Sequence, residues 1–157
     1  GWVGYTLARS LRKFEAINQG DFYPAKQDRI HDLSIVGIYK LSEKLTASAT
    51  WVFSTGDATT FPSGKYTVAG VQTPLYTERN GYRFPNYHRL DLGVTLLGKQ
   101  NKNFESSWNF SVFNAYARQN AYSIAFIENE DDRSKTEAVR TSLFSIIPAV
   151  TYNFKFK

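Results

Sequence analysis

The stretch that decides the fold is YHRLDLGVTLLG, residues 87–98. His88, Leu90, Leu92, Val94 and Leu96 alternate with Arg89, Asp91, Gly93 and Thr95. An extended chain turns successive side chains to opposite faces, so this period of two predicts a strand with one apolar and one polar face. His88 then lies with the leucines, while Arg89 and Asp91 share the other face. A second stretch, DRIHDLSIVGIYKL, residues 28–41, repeats the pattern with His31 and Asp32 adjacent. These are the only 2 histidines, and cysteine is absent. In both stretches the histidine and the neighbouring aspartate point to opposite faces of one strand. That geometry argues against joint acid–base work, and the donor set is too poor for a metal. We expect neither histidine to be catalytic or metal-binding.

The same alternation recurs along the chain and predicts strands at 2–9, 31–41, 44–55, 87–97, 105–116 and 142–156. Their apolar faces include Val3/Tyr5/Leu7, Leu45/Ala47/Ala49/Trp51/Phe53, Trp108/Phe110/Val112/Tyr116 and Ile146/Val150/Tyr152/Phe154/Phe156. Thr46/Ser48/Thr50 and Ser107/Asn109/Ser111 line the opposite faces. Connections 10–30, 56–86 and 117–141 are long, whereas 42–43 and 98–104 are short. Compact soluble sheets rarely carry structureless loops longer than about 12–15 residues. Outer-membrane barrels combine short periplasmic turns with long outer loops, and they cross the bilayer with strands of about ten residues. Aromatics cluster toward the strand ends, at Trp51/Phe53 and Tyr152/Phe154/Phe156, where interfacial girdles belong. The expected fold is therefore all-β, an antiparallel up-and-down transmembrane β-barrel segment. Single-chain bacterial barrels begin at about eight strands, and an open sheet edge in lipid is costly. Six strands thus predict a piece of a larger barrel or a subunit of a multi-chain one. A soluble β-sandwich, in which apolar faces meet each other, is the competing architecture.

Composition narrows the function classes. The 157 residues match one ordinary domain in length, carry a net charge of +5 and are 16% aromatic. No apolar run reaches transmembrane-helix length, and a mean hydropathy of −0.39 is what alternating barrel strands also average to. Lysine and arginine scatter among acids, as in RSLRKFE and ENEDDRSKTE, and no phosphate loop, zinc-finger spacing or aromatic RNA-binding pattern occurs. No nucleic-acid partner is expected. The opening GWVGYTLARS begins in a strand pattern without an initiator methionine or a leader, which fits a mature product or a fragment.

Five stretches carry a resemblance: residues 1–41, ATWVFSTGDATTFPSGKY (49–66), RNGYRFPNYHRLDLGV (79–94), WNFSVFNAYARQNAYSIAF (108–126) and SIIPAVTYNFKFK (145–157). Together they cover nearly the whole chain, in order. The sequence resembles the C-terminal end of a TonB-dependent outer-membrane receptor of the Bacteroidota type, with SusC-like glycan importers as one branch. The resemblance implies a barrel of about 22 strands with a plug in its lumen. Residues 1–157 would be its C-terminal part, without the plug domain and the N-terminal barrel strands. It implies location in the cell outer membrane and import of siderophores, cobalamin or glycans, driven by TonB through the missing N-terminal part. The implied partners are the rest of the barrel and plug, outer-membrane lipid and lipopolysaccharide, a surface lipoprotein and the barrel-assembly machinery. No cofactor and no enzymatic activity are implied, and no ligand-binding residue carries over.

Within that frame Arg89, Asp91, Asn109 and Ser111 are expected to face the lumen. Tyr152, Phe154 and Phe156 resemble the terminal assembly signal of outer-membrane proteins. Pro148 removes a donor, which predicts a bulge or unpaired position there. Arg9, Arg12, Lys13, Lys26 and Arg29 are candidates for lipopolysaccharide phosphates. Loop aromatics Phe14, Phe22, Tyr23, Phe61, Tyr66, Tyr76, Tyr82 and Phe84 are expected to pack on one another rather than on a ligand, with Lys65, Arg79 and Arg83 as cations for an anionic one. The acidic run at 128–133 lacks the glycine and spacing of a calcium loop and is expected to be solvated. The alternative functions are a small or multi-chain barrel serving as adhesin, porin or assembly-complex subunit, and a soluble β-domain.

Overall fold

A computed structural model describes residues 1–132 and 135–156. In chain order the strands are β1 (Trp2–Leu7), β2 (Leu11–Arg12), β3 (Tyr23–Pro24), β4 (His31–Lys40), β5 (Leu45–Ser54), β6 (Ala58–Thr59) and β7 (Gly64–Val68). They continue as β8 (Val71–Leu75), β9 (Tyr82–Arg83), β10 (Tyr87–Gln100), β11 (Phe104–Phe113), β12 (Ser123–Glu128), β13 (Thr136–Thr141) and β14 (Ile147–Phe156). A 3-10 turn at Asn18–Gly20 is the sole helical element among the described residues. The protein is all-β.

The main sheet has the order β1-β4-β5-β10-β11-β14. These are the six strands the alternation predicts, each beside its predecessor. β14 runs antiparallel to β11 in unbroken register, from Phe113 opposite Ile147 to Phe104 opposite Phe156. β1 and β14 stand at opposite ends of the order, so the sheet is open and the last strand does not pair with the first.

Three expectations need correction. β14 begins at Ile147 rather than 142, because the Ser145 carbonyl accepts from the Asn114 side chain instead of joining the ladder. Pro148 causes no bulge; it sits opposite Val112 with no register shift, which an edge strand tolerates because one side of its backbone has no partner. The irregularity lies in β10, where the register with β11 shifts between Leu97 and Gln100. There the Lys99 N–H donates to the Ser106 hydroxyl at 3.0 Å. The long connections also carry structure of their own. β2 pairs with β3, β6 with β9 and β7 with β8, and β12–β13 form a six-on-six hairpin.

The chain divides into two compact units: Gly1–Gly4, Leu33–Phe53 and Tyr87–Lys157 form one, and Tyr5–Asp32 with Ser54–Asn86 form the other. Among the described residues the buried apolar side chains are Tyr23, Ala25 and Ala58, all in the second unit. Among its described residues the sheet unit buries no apolar side chain.

Candidate functional site

On the polar face, Gly93 stands opposite Ser111 and Thr95 opposite Asn109, and β14 continues these rows with Ala149 and Thr151. Asn109 Nδ2 donates to Thr95 Oγ1 at 2.9 Å. Arg89 and Asp91 share this face as expected. The Arg89 guanidinium donates to Asp91 Oδ2 and to Tyr87 Oη, each at 2.9 Å, and stacks 4.1 Å from the Phe113 ring centroid. Asp91 Oδ1 accepts the Asn114 N–H at 2.9 Å. All four residues expected to face inward therefore lie on one side of the sheet and are half-buried. Arg89 has its donors engaged and is held as a fixed part of that face.

The other face is apolar and exposed. Leu92, Val94 and Leu96 stand opposite Val112, Phe110 and Trp108, and Phe110 and Trp108 in turn stand opposite Val150 and Tyr152. Trp108 remains 42% exposed, Phe110 48% and Val150 61%. Aromatics gather at both ends of this face. At one end the Trp51 ring lies 6.1 Å from Phe53 and 6.4 Å from His88, and His88 lies 5.6 Å from Tyr116. At the other, Trp108 and Tyr152 are 4.6 Å apart, Phe154 and Phe156 5.8 Å, and Phe104 and Phe156 5.3 Å. Tyr152, Phe154 and Phe156 thus form one continuous exposed aromatic edge.

Each histidine meets a tyrosine. His88 Nδ1 lies 2.7 Å from Tyr116 Oη, and His31 Nδ1 lies 2.8 Å from Tyr5 Oη. No group of three or more His, Cys, Asp or Glu positioned to hold a metal exists among the described residues. In the acidic run, Asn129 Oδ1 accepts the N–H groups of Asp131 and Asp132, so the tip is closed by an asparagine turn; Arg133 lies outside the described residues.

The second unit is held mainly by polar ties. Asp28 has a fully buried side chain that accepts from the Ser10 N–H and from Arg83, with Arg9 at 3.7 Å. Burial, the largest single influence, pushes the Asp28 carboxyl toward neutrality. The Ser10 hydrogen bond, the Arg83 hydrogen bond and charge, and the Arg9 charge together outweigh it and lower its pKa. Arg83 also donates to the carbonyls of Asp28 and Gly56. Gly56 is required beside this contact, since any Cβ there would collide with the Phe84 backbone.

The five candidate lipopolysaccharide cations all lie in this unit and are exposed. Arg9 faces Asp28, Arg29 forms a two-pronged pair with Asp57 at 2.6 and 3.2 Å, and Lys13 lies 5.1 Å from the Phe22 ring centroid. Much of the set is thus engaged within the fold. The loop aromatics pair as expected where Phe14 meets Tyr23 and Phe61 meets Tyr82 and Phe84. Tyr66 and Tyr76 stay exposed. Arg83 is engaged by Asp28, and Arg79 is joined through its backbone to Asn18.

Sequence reasoning missed Asp28, Asn114 and Asn120. Asn114 is fully buried at a positive φ of 54° and donates to the carbonyls of Arg118 and Ser145. Asn120 takes the place of a strand partner for His88, accepting its N–H at 3.2 Å and donating to its carbonyl at 3.0 Å. Asparagines in loop sequence mark backbone turns, but nothing local names their partners. No family model, curated protein or solved structure matches the chain.

Proposed function

We propose that this chain is the C-terminal barrel segment of a TonB-dependent outer-membrane receptor, a non-enzymatic transporter part that supplies strands for nutrient import. The observation that carries the reading is the inverted sheet. Its apolar face is exposed across β10, β11 and β14, while the polar face holds the half-buried, hydrogen-bonded groups. In water, apolar surface of this extent is a liability; against lipid it is the required exterior.

The aromatic rims give the dimension. Eight positions separate His88 from Leu96, the partner of Trp108, which is about 26 Å along a strand at about 3.3 Å per residue. A tilt of about 40° reduces this to about 20 Å, and the further reach to Phe104 and Phe156 extends it, so the rims bracket the roughly 25 Å apolar band of outer-membrane barrels. The open outer edges of β1 and β14 call for further strands in lipid. The rest of the receptor barrel supplies them in this reading, with the plug inside, TonB acting through the missing part, and lipopolysaccharide and a surface lipoprotein outside. The imported nutrient is a siderophore, cobalamin or a glycan. The same open edges equally suit a multi-chain barrel acting as adhesin, porin or assembly subunit, which the mass of the detergent-extracted complex distinguishes.

With no cysteine among residues 1–157, a label on this segment reports the introduced position. Single cysteines at Val94 and Thr95, in cells with intact outer membranes, are challenged with a water-soluble maleimide and with a lipid-soluble one. Thr95→Cys reacting with the former and Val94→Cys only with the latter supports the reading. Equal labelling of both by the water-soluble reagent overturns it.

A further inference from the structure

Connections 8–30 and 55–86 are far apart in sequence, and each carries short strand pairing of its own. Together they bury only Tyr23, Ala25 and Ala58 as apolar side chains, too little to order more than fifty residues by the hydrophobic effect. What joins them is a set of polar ties from one connection to the other. Arg83 reaches the Asp28 carboxylate and backbone carbonyl from across the unit. Asn80 Nδ2 donates to the Pro24 carbonyl at 2.9 Å while its N–H donates to Thr60. Asn18 Oδ1 and Nδ2 bind the N–H and carbonyl of Arg79 at 2.8 and 3.0 Å, and Arg29 pairs with Asp57. Among these, Asp28 is the member with no exposed side-chain surface, and its other oxygen fixes Ser10 at the start of the first connection.

We propose that the two connections form one latched body that orders and opens as a unit, with Asp28–Arg83 as the latch. Asp28 belongs to the first connection and Arg83 to the second. If the second opens alone, the buried carboxylate keeps only the Ser10 N–H and the exposed Arg9 at 3.7 Å. If the first opens alone, Arg83 loses its Asp28 acceptors, so each connection holds the other closed. Whatever engages one of them is thereby felt by the other. This inference does not depend on the transport reading, because it concerns contacts within a single unit.

Backbone hydrogen exchange read by mass spectrometry tests it, in detergent or in buffer as the protein requires. In Asp28→Asn, segments 8–30 and 55–86 should both lose protection, by at least tenfold and to the same extent, while 90–113 keeps its own. Protection lost from one segment alone, or from neither, overturns the proposal. If Asp28→Asn does not accumulate, Asn80→Ala removes the Pro24 tie between the two connections, keeping its own N–H for Thr60, without stranding a charge. It should raise exchange in both segments together, and a change confined to 55–86 counts against the latch.

Discussion

The Tyr116 hydroxyl lies 2.7 Å from His88 Nδ1, and the arrangement recurs between Tyr5 and His31 at 2.8 Å. In both pairs the hydroxyl at hydrogen-bond distance from Nδ1 ties the ring to its tyrosine, whichever of the two donates. Both rings carry an apolar body and a polar tip, the character suited to the border between an apolar face and water. The pairs are strand-end fasteners.

The first prediction follows from that pairing. Tyr116→Phe should lower unfolding stability by about 1 kcal/mol, the worth of one hydrogen bond, measured as the shift in denaturant midpoint. On the transport reading proposed above, His88→Gln and His31→Gln should leave uptake by the full receptor within a few-fold. Abolished uptake at normal membrane levels would restore a chemical role to the histidines.

How much of this was legible in the sequence depends on range. The alternation in residues 87–98 is a local signal, and it correctly put Arg89 and Asp91 on the face of Asn109 and Ser111. The β10 bulge had a weaker trace, since Leu96-Leu97 breaks the alternation just before Gly98, yet only the contact with Ser106 reveals it. The reading of Pro148 failed because the cost of a missing N–H depends on which side of the strand has a partner, and β14 is an edge. The β12–β13 hairpin was passed over because its acidic run read as solvated loop. Asp28 and Arg83 are separated by 55 positions, and no periodicity connects them.

Asp28 gives a pH prediction. Its pKa is lowered in the folded protein despite burial, through Ser10, Arg83 and Arg9. A group of this kind stabilises the fold above its unfolded pKa of about 3.9, and that contribution fades as pH falls through the lower folded value. Asp28→Asn should therefore cost about 3 kcal/mol at neutral pH, the scale for breaking one side of a buried pair. The difference from the unaltered protein should shrink as unfolding is followed below about pH 4. A gap that instead widens in acid would show that Asp28 folds in its neutral form.

The bulge in β10 makes a third case. A Cβ at Gly98 would approach Ser106 Oγ to 2.5 Å, and that oxygen accepts the Lys99 N–H. Gly98→Ala should displace the hydroxyl, and Ser106→Ala should remove it, each costing about 1–2 kcal/mol as the Lys99 donor loses its partner. Because both act on one bond, the double variant should cost clearly less than the sum of the singles. Simple additivity in denaturant titrations would mean that the two positions matter for separate reasons.

The last prediction sets two adjacent residues against each other. Val94 stands opposite Phe110 on the apolar face and Thr95 opposite Asn109 on the polar one, near the middle of the band between the aromatic rims. An arginine on the lipid side at mid-depth costs about 2–4 kcal/mol, whereas lumen positions tolerate charge. On the barrel reading proposed above, Val94→Arg should fold poorly into membranes and lose that much stability. Thr95→Arg should stay within about 1 kcal/mol, giving up only the Asn109 hydrogen bond. The measurement is the urea midpoint of unfolding in lipid vesicles for the two variants side by side. Since a one-residue change of register exchanges the faces completely, a reversed order of stabilities would mean that the polar side meets lipid, and equal losses would mean that neither side does.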